Sequence, residues 1–134
     1  MSTASPGPRR TRQRSVVQRE LADRDEFVSA QELHKRLISR GTVVGLSTVY
    51  RSLRGLERSG HVDMVRDEAT GERLYRTRSA AGHRHYVLCR RCGRSEPVNA
   101  DVVEEWVRRL TEQVDFFDID HTLELSGRCK ECRR

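Results

Sequence analysis

Apolar residues recur at helical spacing in three segments of the first half of the chain, and this pattern predicts three helices. The second segment opens with a capping box formed by Ser29 and Glu32, and Ser47 is placed to cap the third. Gly41 and Gly60 follow these two segments as helix stops. The apolar positions are Val16, Val17 and Leu21 within residues 11–23; Ala30, Leu33, Leu37 and Ile38; and Val49, Leu53 and Leu56.

Two short extended segments follow the third helix. "HVDMV" and "RLYRT" flank "DEATGE", whose Gly71 suits a hairpin turn. Three helices followed by a hairpin are typical of a winged helix-turn-helix domain, which we expect over residues 11–78.

The pattern changes after the small residues of 79–82, which we expect to form a hinge. "HRHYVLC" and "RSEPV" read as strands, and "DVVEEWVRRLTEQV" is an amphipathic helix. "FDIDHTLEL" alternates apolar and polar residues and predicts a further strand. The helix stripe is Val102, Val103, Trp106, Val107, Leu110 and Val114, and the strand face is Phe117, Ile119, His121, Leu123 and Leu125. Residues 83–134 should therefore form a small α/β domain, which makes the whole chain an α+β protein.

The charge of the chain indicates a polyanionic partner. The 134 residues carry a net charge of +6. Arg9, Arg10, Arg12 and Arg14 are clustered without an acidic neighbour, and we expect residues 1–10 to form a flexible basic arm. A solvated tail with no partner is the alternative for this cluster.

The chain has no apolar run long enough to cross a bilayer and no signal-peptide core, so we expect a cytoplasmic protein. In a reducing compartment, spaced cysteine pairs favour a metal over disulfides.

The third predicted helix has a face suited to the DNA major groove. With its apolar positions turned inward, the opposite side presents Tyr50, Arg51, Arg54 and Arg58. Arginine can donate two hydrogen bonds to guanine or to phosphate, and tyrosine can contact thymine methyl groups or phosphate. The alternative is a solvated basic face with Tyr50 folded back into the core.

Cys89-x-x-Cys92 and Cys129-x-x-Cys132 are two CxxC pairs. Two such turns complete a tetrahedral four-thiolate zinc site. Two disulfides or four unrelated thiols are the alternatives. Because the four thiolates leave no open coordination position, the predicted zinc is structural.

His83 and His85 cannot share that ion if "HRHYVLC" is extended, because they then lie roughly 20 and 13 Å from Cys89. They project from the same face of the strand, so they can bind a second ion together. His121 and Glu104 are the best further ligands. A core histidine with one hydrogen-bond partner is the alternative for His121, and a capping box begun by Asp101 is the alternative for Glu104.

The chain resembles the ferric uptake regulator family, and within it most closely the zinc-responsive branch. The resembling stretches are "TRQR" (11–14), "SAQELH" (29–34), "GLSTVYRSLRGLERSGHVD" (45–63), "HYVLCRRCG" (85–93), "DIDHTLELSGRC" (118–129) and the final CxxC. The resemblance implies a winged-helix DNA-binding domain joined to an α/β dimerisation domain. It also implies homodimeric repressors that bind AT-rich palindromic operators when loaded with metal.

The resemblance assigns roles to individual residues. It implies that Tyr50 and Arg51 contact the operator from the recognition helix, with Arg9 or its neighbours near the backbone or minor groove. Ser47, Thr48, Arg54 and Arg12 complete the predicted DNA contacts. The implied metal ligands are Cys89, Cys92, Cys129 and Cys132 for the structural zinc, and His83, His85, Glu104 and His121 for a second site.

One expected feature of the zinc-responsive branch is missing from the sequence. Relatives have a third site near the hinge, and Asp63 fits its acidic ligand. Arg78 stands at the cysteine position, and Arg84 and Tyr86 stand where further histidines are usual. We therefore expect no hinge metal, and pairing of Asp63 with Arg78 or Arg84 would supply a positive charge in its place.

The sequence predicts a metal-dependent repressor of metal homeostasis genes, with zinc as the expected metal. The alternatives within the same fold are an arginine-locked protein that binds DNA without sensing metal at the hinge, and a sensor of peroxide or another metal. A catalytic zinc with Glu104 as general base is disfavoured, because the sequence shows no substrate pocket and no second acid–base group.

Overall fold

The computed structural model of the chain describes residues 8–78, 85–121 and 123–133. The chain divides into two compact units, Met1–Ser79 (unit 1) and Ala80–Arg134 (unit 2).

Unit 1 contains three main helices and a three-stranded antiparallel sheet. Its elements are α1 (Pro8–Ala22), β1 (Val28–Ser29), α2 (Ala30–Ser39), α3 (Leu46–Arg58), β2 (Val62–Arg66) and β3 (Arg73–Thr77). The strands are ordered β1-β3-β2, so the predicted hairpin of β2 and β3 is extended by the short strand that precedes α2. This arrangement is a winged helix-turn-helix, as predicted.

The apolar stripes of the three helices meet in one core. Val49, Leu53 and Leu56 of α3 are fully buried, as their spacing predicted. They pack in one cluster with residues of the other elements, namely Val17, Leu21, Val28, Ala30, Leu33, Leu37, Val62 and Tyr75. Ile38 was expected in this core but is 49% exposed. It lies one residue past Leu37, so the helix turns it away from the stripe of Leu33 and Leu37.

The ends of the helices follow local hydrogen bonding. The Glu32 N–H donates to the Ser29 hydroxyl at 3.1 Å, which confirms the predicted cap of α2. The predicted cap of α3 at Ser47 is wrong, because that helix begins at Leu46 with Gly45 at the cap position. The Val49 N–H already donates to the Gly45 carbonyl at 3.1 Å, so Ser47 lies within the first turn.

Helix α1 begins earlier than the sequence predicted. It starts at Pro8, so Arg9 and Arg10 belong to its first turn and not to a flexible arm. Proline is favoured in the first turn because its missing N–H would have no partner there. Residues 1–7 of the predicted arm lie outside the described residues.

Unit 2 is a three-stranded sheet with one long helix. Its elements are β4 (His85–Cys89), β5 (Ser95–Val98), α4 (Asp101–Val114), β6 (Leu125–Gly127) and α5 (Lys130–Arg133). Strand β4 is central, antiparallel to β5 and parallel to β6. The pairing of Cys89 with Gly127 brings the end of β4 beside the C-terminal CxxC.

The predicted strand "FDIDHTLEL" is wrong except at Leu125, where β6 begins. Asp115 and Asp118 both have a φ of +53°, and left-handed backbone interrupts the two-residue alternation of a strand. Strand β4 also has β5 and β6 on its two sides, so it offers no free edge to residues 117–121.

Unit 2 buries few of its side chains. Among its described residues, only Tyr86, Cys89 and Ser95 are buried. The predicted apolar stripe of α4 remains open, with Val102 82% and Trp106 54% exposed. A unit with so little core requires a further source of stability, such as a metal ion or a partner subunit.

Candidate metal centres and DNA-binding surface

The four cysteines converge at the C-terminal end of β4. Cys89 ends the strand, and Cys92 follows in a tight turn in which the Gly93 N–H donates to the Cys89 carbonyl at 3.0 Å. The second pair is held by the first turn of α5, where the Cys132 N–H donates to the Cys129 carbonyl at 3.1 Å. All four sulfur atoms lie within 4.8 Å of one another.

The sulfur positions fit a tetrahedral zinc ion. Zinc–thiolate bonds of about 2.3 Å place neighbouring sulfur atoms about 3.8 Å apart. The Sγ atoms of Cys92 and Cys129 are 3.7 Å apart. All four cysteines are free thiols, so the alternative of two disulfides is wrong. The cluster fits the predicted structural zinc site.

Backbone N–H groups lower the pKa of two of the four cysteines and so favour the thiolate form that binds a cation. The N–H groups of Cys129 and Cys92 donate to the Cys89 sulfur at 3.3 and 3.5 Å, and they lower the pKa of that thiol to about 5. The Cys132 N–H likewise lowers the pKa of Cys129. The side-chain hydrogen bond with Cys129 raises the pKa of Cys132 to about 12. A divalent cation would offset two of the four negative charges of the thiolates and favour the thiolate form of all four cysteines.

A second group of ligand-type side chains forms at the other end of β4. His85 begins that strand, Glu104 lies in the first turn of α4, and His121 lies on the chain before β6. The Nε2 atoms of His85 and His121 are 2.9 and 3.0 Å from the same oxygen, Oε1 of Glu104. The two imidazole rings are stacked with their centroids 5.7 Å apart.

The three side chains suit a divalent transition metal. Two imidazole nitrogens and one carboxylate oxygen are a common zinc donor set, and the three ligand atoms lie within 4.8 Å of one another. The hydrogen bond with His85 is the main cause that lowers the pKa of Glu104, so this carboxylate is in its anionic, metal-binding form. His83, the fourth predicted ligand, lies outside the described residues.

The structure bears on the alternatives left open for these residues, and metal binding by them stays a prediction. Glu104 is not the partner in a capping box, because Ala100 is the cap residue of α4 and has no side-chain cap bond. The Asp101 N–H instead donates to the Asn99 side chain at 2.8 Å. His121 lies beside His85 and has a hydrogen bond with Glu104, an arrangement that suits a metal ligand and also fits a histidine with one hydrogen-bond partner.

Helix α3 presents the predicted basic face. Tyr50 is 37% exposed, so it is not folded into the core, and Arg51, Arg54 and Arg58 are exposed beside it. Arg51 donates to the Thr48 hydroxyl at 3.3 Å. The other predicted contacts are exposed too, namely Ser47 on α3 and Arg9 and Arg12 on α1. DNA contact by these residues stays a prediction.

Arg14, which the sequence placed only in the basic N-terminal cluster, contacts α3. Its guanidinium lies against Gly55 of α3, where a Cβ atom would meet it. The sequence feature that indicates this contact is Gly55, because a glycine in the middle of an amphipathic helix allows the close approach of another group. Arg14 therefore helps to dock α1 on α3.

Asp63 and Arg78 form an ion pair within unit 1. Arg78 Nε donates to Asp63 Oδ1 at 2.9 Å, and their side chains are 24% and 9% exposed. The sequence allowed either Arg78 or Arg84 as the partner, and Arg84 lies outside the described residues.

None of the helices in the described ranges has the length and apolarity needed to cross a membrane.

Comparison with known proteins agrees with these features. The ferric uptake regulator family matches residues 5–126 of the chain. The zinc uptake regulation protein of Mycobacterium tuberculosis is 42% identical over 130 residues, which cover 97% of this chain and 98% of that protein.

Solved structures give the same relationship. The structure of FurB from M. tuberculosis, a zinc uptake regulator, is 42% identical with a TM-score of 0.56, covering 95% of this chain and 97% of that one. A zinc uptake regulator complexed with zinc and DNA is 26% identical with a TM-score of 0.70, covering 90% and 81%. The chain therefore belongs to the ferric uptake regulator family of metal-responsive transcriptional regulators, which are not enzymes.

Proposed function

We propose that this protein is a zinc-responsive repressor whose operator affinity depends on metal bound by His85, Glu104 and His121. The observation that carries the proposal is the approach of both imidazole Nε2 atoms to one Glu104 oxygen, at 2.9 and 3.0 Å. This group joins β4, α4 and the chain before β6. A metal bound there would link three separate parts of unit 2. An ion that links separate elements can favour one conformation of the protein over another.

The proposed binding of operator DNA rests on the exposed residues of α3 and α1. Their exposed arginines form a cationic face on a winged helix-turn-helix, the arrangement that enters the major groove. The zinc- and DNA-bound regulator among the similar structures supports operator binding by this chain. We propose an AT-rich palindromic operator, control of metal homeostasis genes, and action in the cytoplasm.

We propose a homodimer as the DNA-binding form. Unit 2 exposes Val102 and Trp106 on α4, and Phe116 and Phe117 just after it are 66% and 77% exposed. Apolar surface of this extent favours association with a second subunit. A two-fold dimer would present two copies of α3 to the two halves of a palindrome, as this family binds operator DNA as dimers.

Removal of the labile metal tests the proposal directly. Duplexes selected from a random pool by the zinc-loaded protein serve as the operator probe. We expect a chelator that leaves the thiolate-bound zinc in place to weaken binding about 5- to 150-fold, the usual range of allosteric coupling. Added zinc should restore it. Unchanged affinity after removal of the labile zinc would contradict metal control and would favour a constitutive DNA-binding protein.

Arg51 is the α3 residue with the largest expected share of operator recognition. Replacing Arg51 by Ala should weaken binding to the selected duplex by about 1–3 kcal/mol, because a bidentate arginine contact to a base is lost. Fluorescence anisotropy with selected and scrambled duplexes measures the change. Arg108→Ala removes an exposed arginine of α4 and is the matched control. Equal losses for both variants would contradict a specific role of α3.

A further inference from the structure

Arg78 connects three parts of unit 1 at the point where the chain leaves it. Its guanidinium donates to the buried Asp63 carboxylate on β2 at 2.9 Å. Its backbone N–H donates to the His61 carbonyl at 3.0 Å. The same guanidinium lies beside Gly60, where a Cβ atom would be 3.2 Å from Nη1. Arg78 thus holds the end of the unit against the residues that follow α3.

The residues around Asp63 do not fit the hinge metal that the family resemblance implies. All four cysteines of the chain belong to one cluster, so none is left for another site. His61 is engaged through Nδ1 with the Ser59 hydroxyl at 2.7 Å. Ligand-type side chains converge in threes or more at two places in the described parts of the chain, and neither includes Asp63.

A buried carboxylate is costly unless a cation lies beside it. A metal ion supplies that charge only when it is present and bound. A guanidinium supplies it permanently, because arginine stays protonated in proteins and cannot be removed by a chelator. The positive charge beside the Asp63 carboxylate is therefore independent of the metal supply.

We propose that the Asp63–Arg78 ion pair is a permanent, metal-independent clamp that fixes the exit of the chain from the winged-helix unit. This deepens the proposed function, because it confines the zinc response to the His85, Glu104 and His121 group. The clamp holds Asp63, Arg78 and the residues that follow α3 in one arrangement whether zinc is abundant or scarce.

Zinc stoichiometry of the purified full-length protein tests the first half of the proposal. We expect two zinc ions per chain in the wild type, in Asp63→Asn and in Arg78→Met. Glu104→Gln should bind one. A drop to one zinc in Asp63→Asn, with the four-cysteine zinc retained, would overturn the proposal because Asp63 would then be a metal ligand.

Amide hydrogen exchange at residue 78 tests the second half, because that N–H donates to His61. We expect exchange about tenfold faster in Asp63→Asn and in Arg78→Met, as the loss of a charge-assisted hydrogen bond allows. The double variant should exchange no faster than either single variant, because each single substitution already removes the Asp63–Arg78 ion pair. Stripping labile zinc from the wild type should leave the rate unchanged, and a rate that rises on stripping would overturn the clamp.

The two measurements separate this inference from the proposed function. Neither the zinc stoichiometry nor the amide exchange rate is measured with DNA. Operator binding that is independent of zinc would therefore refute the proposed function and leave the clamp intact. Arg78→Lys keeps the charge but not the planar guanidinium, and we expect it to retain two zinc ions with an intermediate exchange rate. If one substitution at this pair prevents folding, the other provides both readouts. If both single variants fold, additive effects in the double variant would contradict the pairing.

Discussion

Replacing Cys129 by Ser should release the structural zinc and unfold residues 85–133, while unit 1 keeps its helices. Structural zinc contributes about 10–16 kcal/mol of apparent binding free energy in small zinc-finger peptides. Unit 2 depends on such a contribution, because Tyr86, Cys89 and Ser95 are its only buried residues within the described ranges. Unit 1 has its own cluster of buried apolar residues, so it does not depend on the zinc.

Zinc content and amide exchange of the Cys129→Ser protein measure these effects. We expect loss of protection at β4 and β6 and retained protection at α2 and α3. Lys130→Ala is the matched control, because Lys130 is an exposed neighbour in the same turn and is not among the clustered ligands. Retained zinc and a folded β4 in Cys129→Ser would contradict the structural role of the site.

Replacing Glu104 by Gln should separate metal sensing from folding. Glutamine keeps the shape of the side chain but removes the anionic oxygen that lies 2.9 and 3.0 Å from the two histidines. We expect zinc to fall from two ions to one per chain. Operator affinity should fall to that of the wild type stripped of labile zinc, a loss of about 5- to 150-fold.

Metal analysis and operator titration in excess zinc measure the outcome. Glu105→Gln is the control, since Glu105 is the next residue and its carboxylate pairs with Arg108 on the exposed side of α4. It should retain two zinc ions and full affinity. A Glu104→Gln protein that loses one zinc but binds the operator normally would show that this ion is structural and not regulatory.

The sequence predicted the elements whose signals are local. The Ser29 cap of α2, the glycine at position 71 in the hairpin and the stripe of Val49, Leu53 and Leu56 all depend on residues within a few positions of one another. The two CxxC pairs are equally local, because each turn presents both of its sulfur atoms to one ion. Such features follow from backbone geometry and spacing, so the winged helix and the four-cysteine cluster could be read from the chain.

Features that depend on distant contacts required the tertiary structure. Alternation predicted a strand through Phe117 and His121, but left-handed backbone at Asp118 and the pairing of β4 on both sides prevent it. Glu104 fitted a capping box as well as a metal ligand. Only the tertiary structure showed that the capping box is not formed and that the carboxylate of Glu104 contacts His85 instead.

The partner of Asp63 shows the same division. The sequence supplied an acidic residue and two arginines, Arg78 and Arg84, without a reason to prefer either arginine. The antiparallel register of β2 and β3 places Asp63 opposite Arg76. Arg78 follows two residues later on the same face, which brings its guanidinium within reach of Asp63. Residue types and short spacings thus determined the helices, the hairpin and the thiolate ligands. Strand pairing and helix docking decided which distant charges meet, because those contacts form only when separate elements pack together.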